Sequence, residues 1–176
     1  MDNIFKEAFE KVMDIEGGYS DHKDDPGGKT KFGITEAVAR RNGYKGDMKD
    51  LKLHQARDIY YKEFWLDHKY NKIQNRDIAI EMFDQAVNMG QTTANKNLQK
   101  SNNLLTAADD IYPITVDGVI GPQTLKAINH CSKPIALFNI LNGYQIKHYI
   151  NLAEESDKFK SFIAGWANNR IEILRK

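Results

Sequence analysis

Hydrophobic residues recur at helical spacing along most of the chain. In the first run, apolar residues from Ile4 to Met13 lie three or four positions apart with charged residues between them, which predicts an amphipathic helix over residues 2–16. The same spacing and the usual helix-end signals predict further helices over residues 36–41, 55–66, 77–89, 92–107, 133–155 and 158–174. Strand-like alternation is scarce. The pattern therefore predicts a mainly α protein with a small β element.

Two stretches of turn-forming residues interrupt the helical pattern. Gly17 and Gly18 end the first helix. Residues 19–31 are rich in Asp, Gly, Ser and Pro, which predicts a loop with a short hairpin, followed by an extended piece over residues 32–34. The second stretch, residues 109–121, is dense in turn signals. Pro122 then fits the first position of a new helix, where its missing N–H costs nothing.

Length and charge narrow the class of protein. A chain of 176 residues can hold one domain, or a catalytic unit with a small appendage. The net charge is +1 and the charges are spread along the chain, so we expect no nucleic-acid partner. The N-terminus lacks the apolar core and cleavage site of a secretory signal, and no run of about 18 apolar residues exists. We therefore expect neither a signal peptide nor membrane insertion.

The sequence does not indicate a metal or cofactor site. Cys131 is the single cysteine, which excludes an internal disulfide and a multi-cysteine metal site. The five histidines form no ligand motif, and the group Asp21, Asp24 and Asp25 lacks the spacing of an EF-hand loop. No glycine-rich phosphate loop follows a strand. We therefore expect no metal and no cofactor.

Glu16 stands at the end of the first predicted helix. It lies three residues after Met13 and four after Val12, so it shares the apolar face of that helix. Apolar neighbours raise the pKa of a carboxyl group by desolvation, and the negative end of a helix disfavours an anion. A glycosidase needs a protonated carboxylic acid to protonate the leaving oxygen. Glu16 is therefore a candidate general acid, with a solvated glutamate at a frayed helix end as the alternative.

Asp25 and Thr30 follow in the turn-rich stretch. A tight turn could return both to Glu16, where Asp25 would hold or deprotonate a water molecule and Thr30 would position it. This is the inverting arrangement, in which the two acidic groups stand ~6.5–9.5 Å apart to admit the water. The structural alternatives are an Asx turn at Asp25 and a strand hydroxyl at Thr30. Asp21 or Asp24 could also stand in place of Asp25.

Several motifs resemble one family. E-G-G-Y-S at residues 16–20 and D-P-G-G-K-T-K-F-G-I-T at residues 25–35 resemble the signature of glycoside hydrolase family 108. Its members are bacterial and phage N-acetylmuramidases of lysozyme-like fold, often labelled secretion-activating proteins. The resemblance continues at F-D-Q-A-V-N-M-G, V-D-G-V-I-G-P-Q-T and G-W-A-N-N-R, which begin at residues 83, 116 and 165. It therefore covers most of the chain.

The resemblance implies roles for particular residues. The glutamate of the family's E-G-G-Y motif is the catalytic acid, which implies Glu16 here. The order Glu, Asp, Thr is similar to that of phage-type lysozymes, which implies Asp25 and Thr30. The expected architecture is a lysozyme-like helical region over residues 1–91, with a small β-hairpin near residues 17–34. A helical peptidoglycan-binding region over residues 92–176 is expected to pack against it.

Aromatic residues are candidates for substrate contacts. Tyr60, Phe64 and Trp65 lie in one predicted helix. Aromatic faces stack on sugar rings, but aromatics at helical spacing more often belong to a core. We predict that Tyr60 and Phe64 lie inside, and that Trp65 and Tyr19 contact the substrate.

Asn88 and Asp84 lie one helical turn apart on a largely apolar helix. Asn88 either binds a substrate N-acetyl group or forms a hydrogen bond with Asp84. Asp84 is the reserve candidate for a second carboxylate, although a structural role is favoured.

The expected function is hydrolysis of the β-1,4 bond between N-acetylmuramic acid and N-acetylglucosamine, with peptidoglycan strands as the partner of a monomer. The chain is expected to be made in the bacterial cytoplasm and to reach the cell wall by a holin-like or other non-Sec route, as a phage endolysin does. The alternative is a non-catalytic peptidoglycan-binding or secretion-accessory protein on the same scaffold. A helical regulator that binds another protein is the third interpretation.

Overall fold

The first helix, α1 (Asn3–Ile15), forms where the apolar spacing predicts it. In this computed structural model, which describes residues 1–15, 18–20, 29–106 and 113–175, the chain forms two compact units, residues 1–71 and 72–176. α1 buries the apolar side chains of Phe5, Ala8, Phe9 and Val12. The Asp2 carboxylate accepts a 2.7 Å hydrogen bond from the Phe5 backbone N–H, which satisfies one of the donors that every helix start leaves open.

A small antiparallel sheet follows α1. Its strands are β1 (Tyr19–Ser20), β2 (Thr30–Lys31) and β3 (Ile34–Thr35), in the spatial order β1-β2-β3. Phe32 and Gly33 join β2 to β3, and both have positive φ angles, 51° and 72°. Two central residues of positive φ form the type of turn that matches the twist of a two-residue hairpin. The predicted extended piece over residues 32–34 is therefore wrong, because Phe32 and Gly33 form the turn itself.

The remainder of the first unit is helical. α2 (Glu36–Arg41) is capped by Thr35, whose side-chain oxygen accepts a 3.3 Å hydrogen bond from the Val38 N–H. A short 3-10 turn (Met48–Asp50) leads into α3 (Leu53–Tyr60). The chain then widens into a π-helical segment (Tyr61–Leu66) and continues to a second 3-10 turn (Tyr70–Lys72).

The second unit consists of helices in its described parts, residues 72–106 and 113–175. The bounds of these helices are α4 (Arg76–Met89), α5 (Gln91–Leu105), α6 (Pro122–Asn129), α7 (Pro134–Glu155), α8 (Asp157–Lys160) and α9 (Ile163–Asn169). Pro122 occupies the first turn of α6, as predicted. The mainly α fold class with a small β element is confirmed, and no described helix is long and apolar enough to cross a bilayer.

The final predicted helix, residues 158–174, is wrong in its last five residues. Helical structure stops at Asn169, and residues 171–175 are not helical. Side-chain amides of α7 replace the helical hydrogen bonds: Asn142 accepts from the Glu172 N–H at 2.9 Å, and Asn139 both donates to and accepts from the Leu174 backbone at 2.9 Å. These bonds satisfy backbone groups that an extended segment would otherwise leave unpaired.

Candidate functional site

The hairpin returns Thr30 to the segment that follows α1. Ser20 pairs with Thr30 and Tyr19 pairs with Lys31 across β1 and β2. Paired strands lie about 4.7–4.9 Å apart, so the backbone of Thr30 lies within that distance of the β1 backbone. The Phe32 N–H also donates to the Gly18 carbonyl at 3.3 Å. The chain thus returns to β1 at Thr30, whose side chain is half-buried, and its predicted approach to Glu16 stays a prediction.

Glu16 and Asp25 lie outside the described residues, as do the alternatives Asp21 and Asp24. Their catalytic roles stay predictions. The described strands bound the segment between Ser20 and Thr30 on both sides. The side chain of Tyr19 is likewise outside the described part, although its backbone belongs to β1, so its proposed contact with substrate stays a prediction.

Contacts from the rest of the first unit fix the hairpin in place. The Tyr60 hydroxyl, on a fully buried ring, donates to the Phe32 carbonyl at 3.0 Å. The Lys31 ammonium donates to the Lys49 carbonyl. The Glu36 N–H donates to the Lys29 carbonyl at 2.9 Å. Because these bonds anchor the turn and both ends of the β2–β3 pair, the hydroxyl of Thr30 is carried on a braced element.

Trp65 does not offer a face to a sugar. Its side chain is 1% exposed and packs at 5.7 Å from the Phe5 ring and 6.3 Å from the Tyr70 ring. Its indole N–H donates to the Asp2 carboxylate at 2.9 Å. A fully packed ring with its polar atom satisfied is a core residue. We therefore correct the prediction and assign Trp65 to the core of the first unit.

Asn88 and Asp84 lie in the second unit, on α4. The half-buried Asn88 amide donates to the backbone carbonyl of Asp84 at 2.8 Å, one helical turn back. The Asp84 carboxylate is buried and accepts from Arg170 at 3.0 Å and from Gln145 at 2.9 Å. Both carboxylate oxygens are thus used by structural partners. A structural role accounts for Asp84, and the substrate contact of Asn88 stays a prediction.

Arg170 is the residue that sequence reasoning missed. It is buried and forms a 3.0 Å ion pair with Asp84, 86 positions earlier in the chain. The motif G-W-A-N-N-R ends with this arginine. The charged residue at the end of that motif was the sequence signal that could have identified Arg170. Buried charges persist when they are paired and hydrogen-bonded, so the arginine identifies a charged cluster that holds α4, α7 and the C-terminal segment together.

The V-D-G turn has a structural explanation. The Asp117 carboxylate accepts from the Val119 N–H at 2.8 Å and from the Gln99 amide at 2.8 Å. These hydrogen bonds lower the pKa of Asp117. The Asn95 amide donates to the Gly118 carbonyl at 2.9 Å, and the Gly118 N–H donates to Gln99 at 2.8 Å. The turn is thus held by α5 side chains, as buried polar groups require.

Aromatic rings gather near the end of the second unit. The half-buried Trp166 stacks on Tyr149 at 4.8 Å and on Phe162 at 5.8 Å, and it lies 6.2 Å from Phe159. Phe162 is 51% exposed. We call Tyr149, Phe159, Phe162 and Trp166 the C-terminal aromatic cluster. Its exposed ring offers the kind of surface on which sugar rings stack.

The described residues contain no group of three or more His, Cys, Asp or Glu side chains placed to hold a metal ion. The described candidates for the site, Thr30, Asn88 and the C-terminal aromatic cluster, offer hydroxyl, amide and aromatic groups. Such groups can position a substrate or a water molecule, whereas the predicted acid, Glu16, lies outside the described residues.

Comparison with known proteins extends this picture. The family model described as Glycosyl hydrolase 108 matches residues 9–90, a range that contains the end of α1 and the hairpin. The model described as Predicted Peptidoglycan domain matches residues 85–171. No curated protein sequence shows significant similarity to the chain. The matches overlap at residues 85–90, and the boundary predicted between residues 91 and 92 stays a prediction.

A solved structure agrees with both family matches. The structure of Brucella abortus SagA is 30% identical, with a TM-score of 0.65, and the alignment covers 93% of this chain and 87% of that one. The mainly α architecture with its small sheet is consistent with a lysozyme-like fold. The chain therefore belongs to the glycosyl hydrolase 108 family and carries a peptidoglycan domain in its C-terminal half.

Proposed function

We propose that the chain is an N-acetylmuramidase that hydrolyses the β-1,4 bond between N-acetylmuramic acid and N-acetylglucosamine in peptidoglycan. The observation that carries the proposal is the pairing of Ser20 with Thr30, which returns the chain to a strand that begins four residues after α1, inside the region matched by the glycosyl hydrolase model. That arrangement can bring a general acid at the helix end and a water-positioning hydroxyl to one place.

Glu16 is the proposed general acid. It directly follows Ile15, the last residue of α1, and Val12 one turn earlier is fully buried. The last turn of α1 contains no basic residue that would stabilise an anion there. The negative end of a helix favours the protonated form of a carboxyl group, and a position on the same helical face as the buried Val12 would add desolvation. A protonated Glu16 would donate its proton to the glycosidic oxygen as the bond breaks.

Asp25 and Thr30 are proposed to manage the attacking water. In an inverting mechanism, Asp25 takes a proton from the water while the Thr30 hydroxyl orients it, and the water attacks the face of the sugar opposite Glu16. The braced position of β2 suits Thr30 for this role, because an orienting group must keep its position through the reaction. The product of such a reaction has the opposite anomeric configuration to the substrate bond.

The second unit is proposed to retain the enzyme on the cell wall. It contains the whole region matched by the peptidoglycan domain, and the C-terminal aromatic cluster gives it an exposed ring for stacking on sugars. We also propose that the protein reaches the wall by a holin-like or other non-Sec route. Lysis during a phage cycle is one setting that this route suits.

The decisive experiment measures reducing sugar released from purified sacculi. The variant Glu16→Gln should keep the wild-type circular dichroism spectrum and lose activity by about 10²–10⁴-fold, the usual contribution of a general acid. Binding to sacculi should be unchanged. A folded Glu16→Gln protein with full activity would contradict the mechanism. A wild-type protein that binds sacculi and releases no reducing sugar would select the non-catalytic alternative instead.

The second catalytic carboxylate is tested by two neighbouring substitutions. Asp25→Asn should greatly reduce turnover, whereas the matched control Asp24→Asn should not. Near-normal activity of Asp25→Asn would demote that residue to a turn former. Following the product anomer by NMR during digestion then tests the inverting outcome, since a retained configuration would require a nucleophile in place of the water-activating base.

A further inference from the structure

A charged pocket lies between α1 and α3, outside the hairpin. Its volume is about 430 Å³. The lining side chains are Lys6, Phe9 and Glu10 from α1, and Leu53, His54 and Arg57 from α3. None of these residues belongs to the catalytic set proposed above. The pocket nevertheless belongs to the same compact unit as the hairpin.

Arg57 is the unusual member of the pocket. Its side chain is half-buried, and its Nε is shut off from solvent with no hydrogen-bond partner among the described residues. A buried donor left unsatisfied is unfavourable by about 1–3 kcal/mol, and native proteins rarely leave one without a reason. Across residues 1–15, 18–20, 29–106 and 113–175, no carboxylate forms an ion pair with Arg57 or Lys6. The guanidinium is therefore available to an external oxyanion.

The other residues that line the pocket restrict which kind of molecule can carry the oxyanion. Phe9 is almost fully buried and Leu53 is 47% exposed, so together they give the pocket an apolar side. The exposed Glu10 adds a carboxylate to the same lining. A polyanion such as a phosphate polymer would meet repulsion from Glu10 as well as attraction from Lys6 and Arg57. A small zwitterion with an aliphatic segment can instead use the cations, the carboxylate and the apolar side of the pocket together.

We propose that this pocket binds the peptide stem of peptidoglycan. A stem carboxylate pairs with the guanidinium of Arg57, because that planar fork matches a carboxylate bidentately. The aliphatic chain of a diamino-acid residue lies along Phe9 and Leu53, and its ammonium group faces Glu10. The inference rests on the proposed function and names the part of the polymer that the enzyme recognises besides the glycan strand.

Isothermal titration with a sugar-free stem tetrapeptide, L-Ala-γ-D-Glu-L-Lys-D-Ala, tests the pocket directly. The wild type should bind it, Arg57→Gln should weaken binding at least tenfold, and Arg57→Lys should fall between the two. Lys62→Gln, an exposed cation outside the pocket, is the matched control and should bind as the wild type does. Equal binding by wild type and Arg57→Gln would overturn the proposal.

A second pair of ligands tests the ammonium partner and the competing phosphate source. Acetylation of the peptide lysine should weaken binding to the wild type and make little difference to Glu10→Gln. Glycerol phosphate should bind more weakly than the tetrapeptide, and tighter binding of glycerol phosphate would assign the pocket to a phosphate polymer and refute the stem proposal. Thermal unfolding of each variant confirms that the fold is retained.

The stem proposal and the muramidase proposal fail separately. Glu16→Gln removes the proposed acid and leaves the pocket, so it should bind the tetrapeptide with wild-type affinity. Loss of activity in Glu16→Gln together with no tetrapeptide binding by any form would refute the pocket alone. Full activity of Glu16→Gln with intact, Arg57-dependent binding would refute the catalytic assignment alone.

Discussion

Replacing Arg170 with methionine tests the buried ion pair of the second unit. The Arg170 and Asp84 side chains are 4% and 1% exposed, and their charged atoms lie 3.0 Å apart. Arg170→Met keeps most of the side-chain volume and leaves the Asp84 carboxylate buried with the Gln145 amide at 2.9 Å. Removing one partner of a buried pair is unfavourable by about 3–5 kcal/mol, because the other charge stays desolvated. We expect the free energy of unfolding to fall by that amount.

A loss of this size is a large part of the total stability of a domain, which is about 5–15 kcal/mol. Urea unfolding followed by circular dichroism measures it, and hydrogen exchange should show faster exchange of α4 and α7 amides. Arg76→Met is the matched control, since the Arg76–Asp77 pair is 53% and 45% exposed. That exposed pair should contribute at most about 1 kcal/mol.

The double variant Asp84→Asn, Arg170→Met separates the effect of an unpaired buried charge from the effect of lost side-chain packing. Removing both charges abolishes the uncompensated carboxylate, so the double variant should be more stable than Arg170→Met alone. The reasoning is refuted if Arg170→Met unfolds at the same urea concentration as Arg76→Met. It is also refuted if the double variant is less stable than Arg170→Met, since the buried charge would then not be the cause of the loss.

Three further predictions concern stability. Gly118 has φ +82°, and an added Cβ would lie 3.0 Å from a neighbouring methyl group, so Gly118→Ala should lower the free energy of unfolding by about 1–3 kcal/mol. Gly143→Ala, in open space within α7, should raise it by about 0.5–1 kcal/mol in the same urea assay. Burial lowers the pKa of His68 and His148 below the ordinary histidine value of 6.5. As the pH falls through that value, the unfolded chain therefore binds more protons than the folded protein does. Stability should therefore fall as the pH falls from about 7 to 5. The double variant His68→Gln, His148→Gln should show a shallower decline, and an unchanged slope would contradict this cause.

Helix ends with local signals were the most predictable part of the fold. α4 was predicted over residues 77–89 and runs from Arg76 to Met89, with the Asn75 side chain accepting from the Ile78 N–H at 3.0 Å. A cap is a short-range interaction and is therefore visible in the sequence. The end of the last helix was not predictable, because the amides of Asn139 and Asn142 that replace its hydrogen bonds lie about 30 residues earlier in the chain.

The error at Trp65 has a local cause that periodicity could not show. In a regular α-helix, Tyr60 and Phe64 share a face, so both were predicted to lie inside. The chain is instead π-helical over Tyr61–Leu66, where hydrogen bonds join residues five apart, and the Asp67 N–H donates to the Lys62 carbonyl at 3.0 Å. The wider turn places Trp65 rather than Phe64 in the fully buried position beside Tyr60.

The site was predictable only as far as its motifs reach. The return of Thr30 to the segment after α1 follows from turn-forming residues between two short strands, a local signal. The charges around Arg57 gave no such signal, because Lys6 and Arg57 come to line one pocket only when α1 and α3 pack together. Long-range juxtaposition of this kind depends on tertiary structure and not on spacing in the sequence.

The amide of Asn142 also makes the protein sensitive to its thermal history. Asn142 is followed by Gly143, and a glycine on that side leaves the asparagine open to attack by the next backbone nitrogen and conversion to aspartate. In the folded helix the side chain is buried, donating to the Phe138 carbonyl at 3.2 Å while it accepts from Glu172. Each unfolding event exposes it to deamidation, and the resulting carboxylate cannot donate that bond. Protein that has been heated should therefore accumulate deamidated Asn142. After cooling, α7 of that protein should hold the C-terminal segment less firmly.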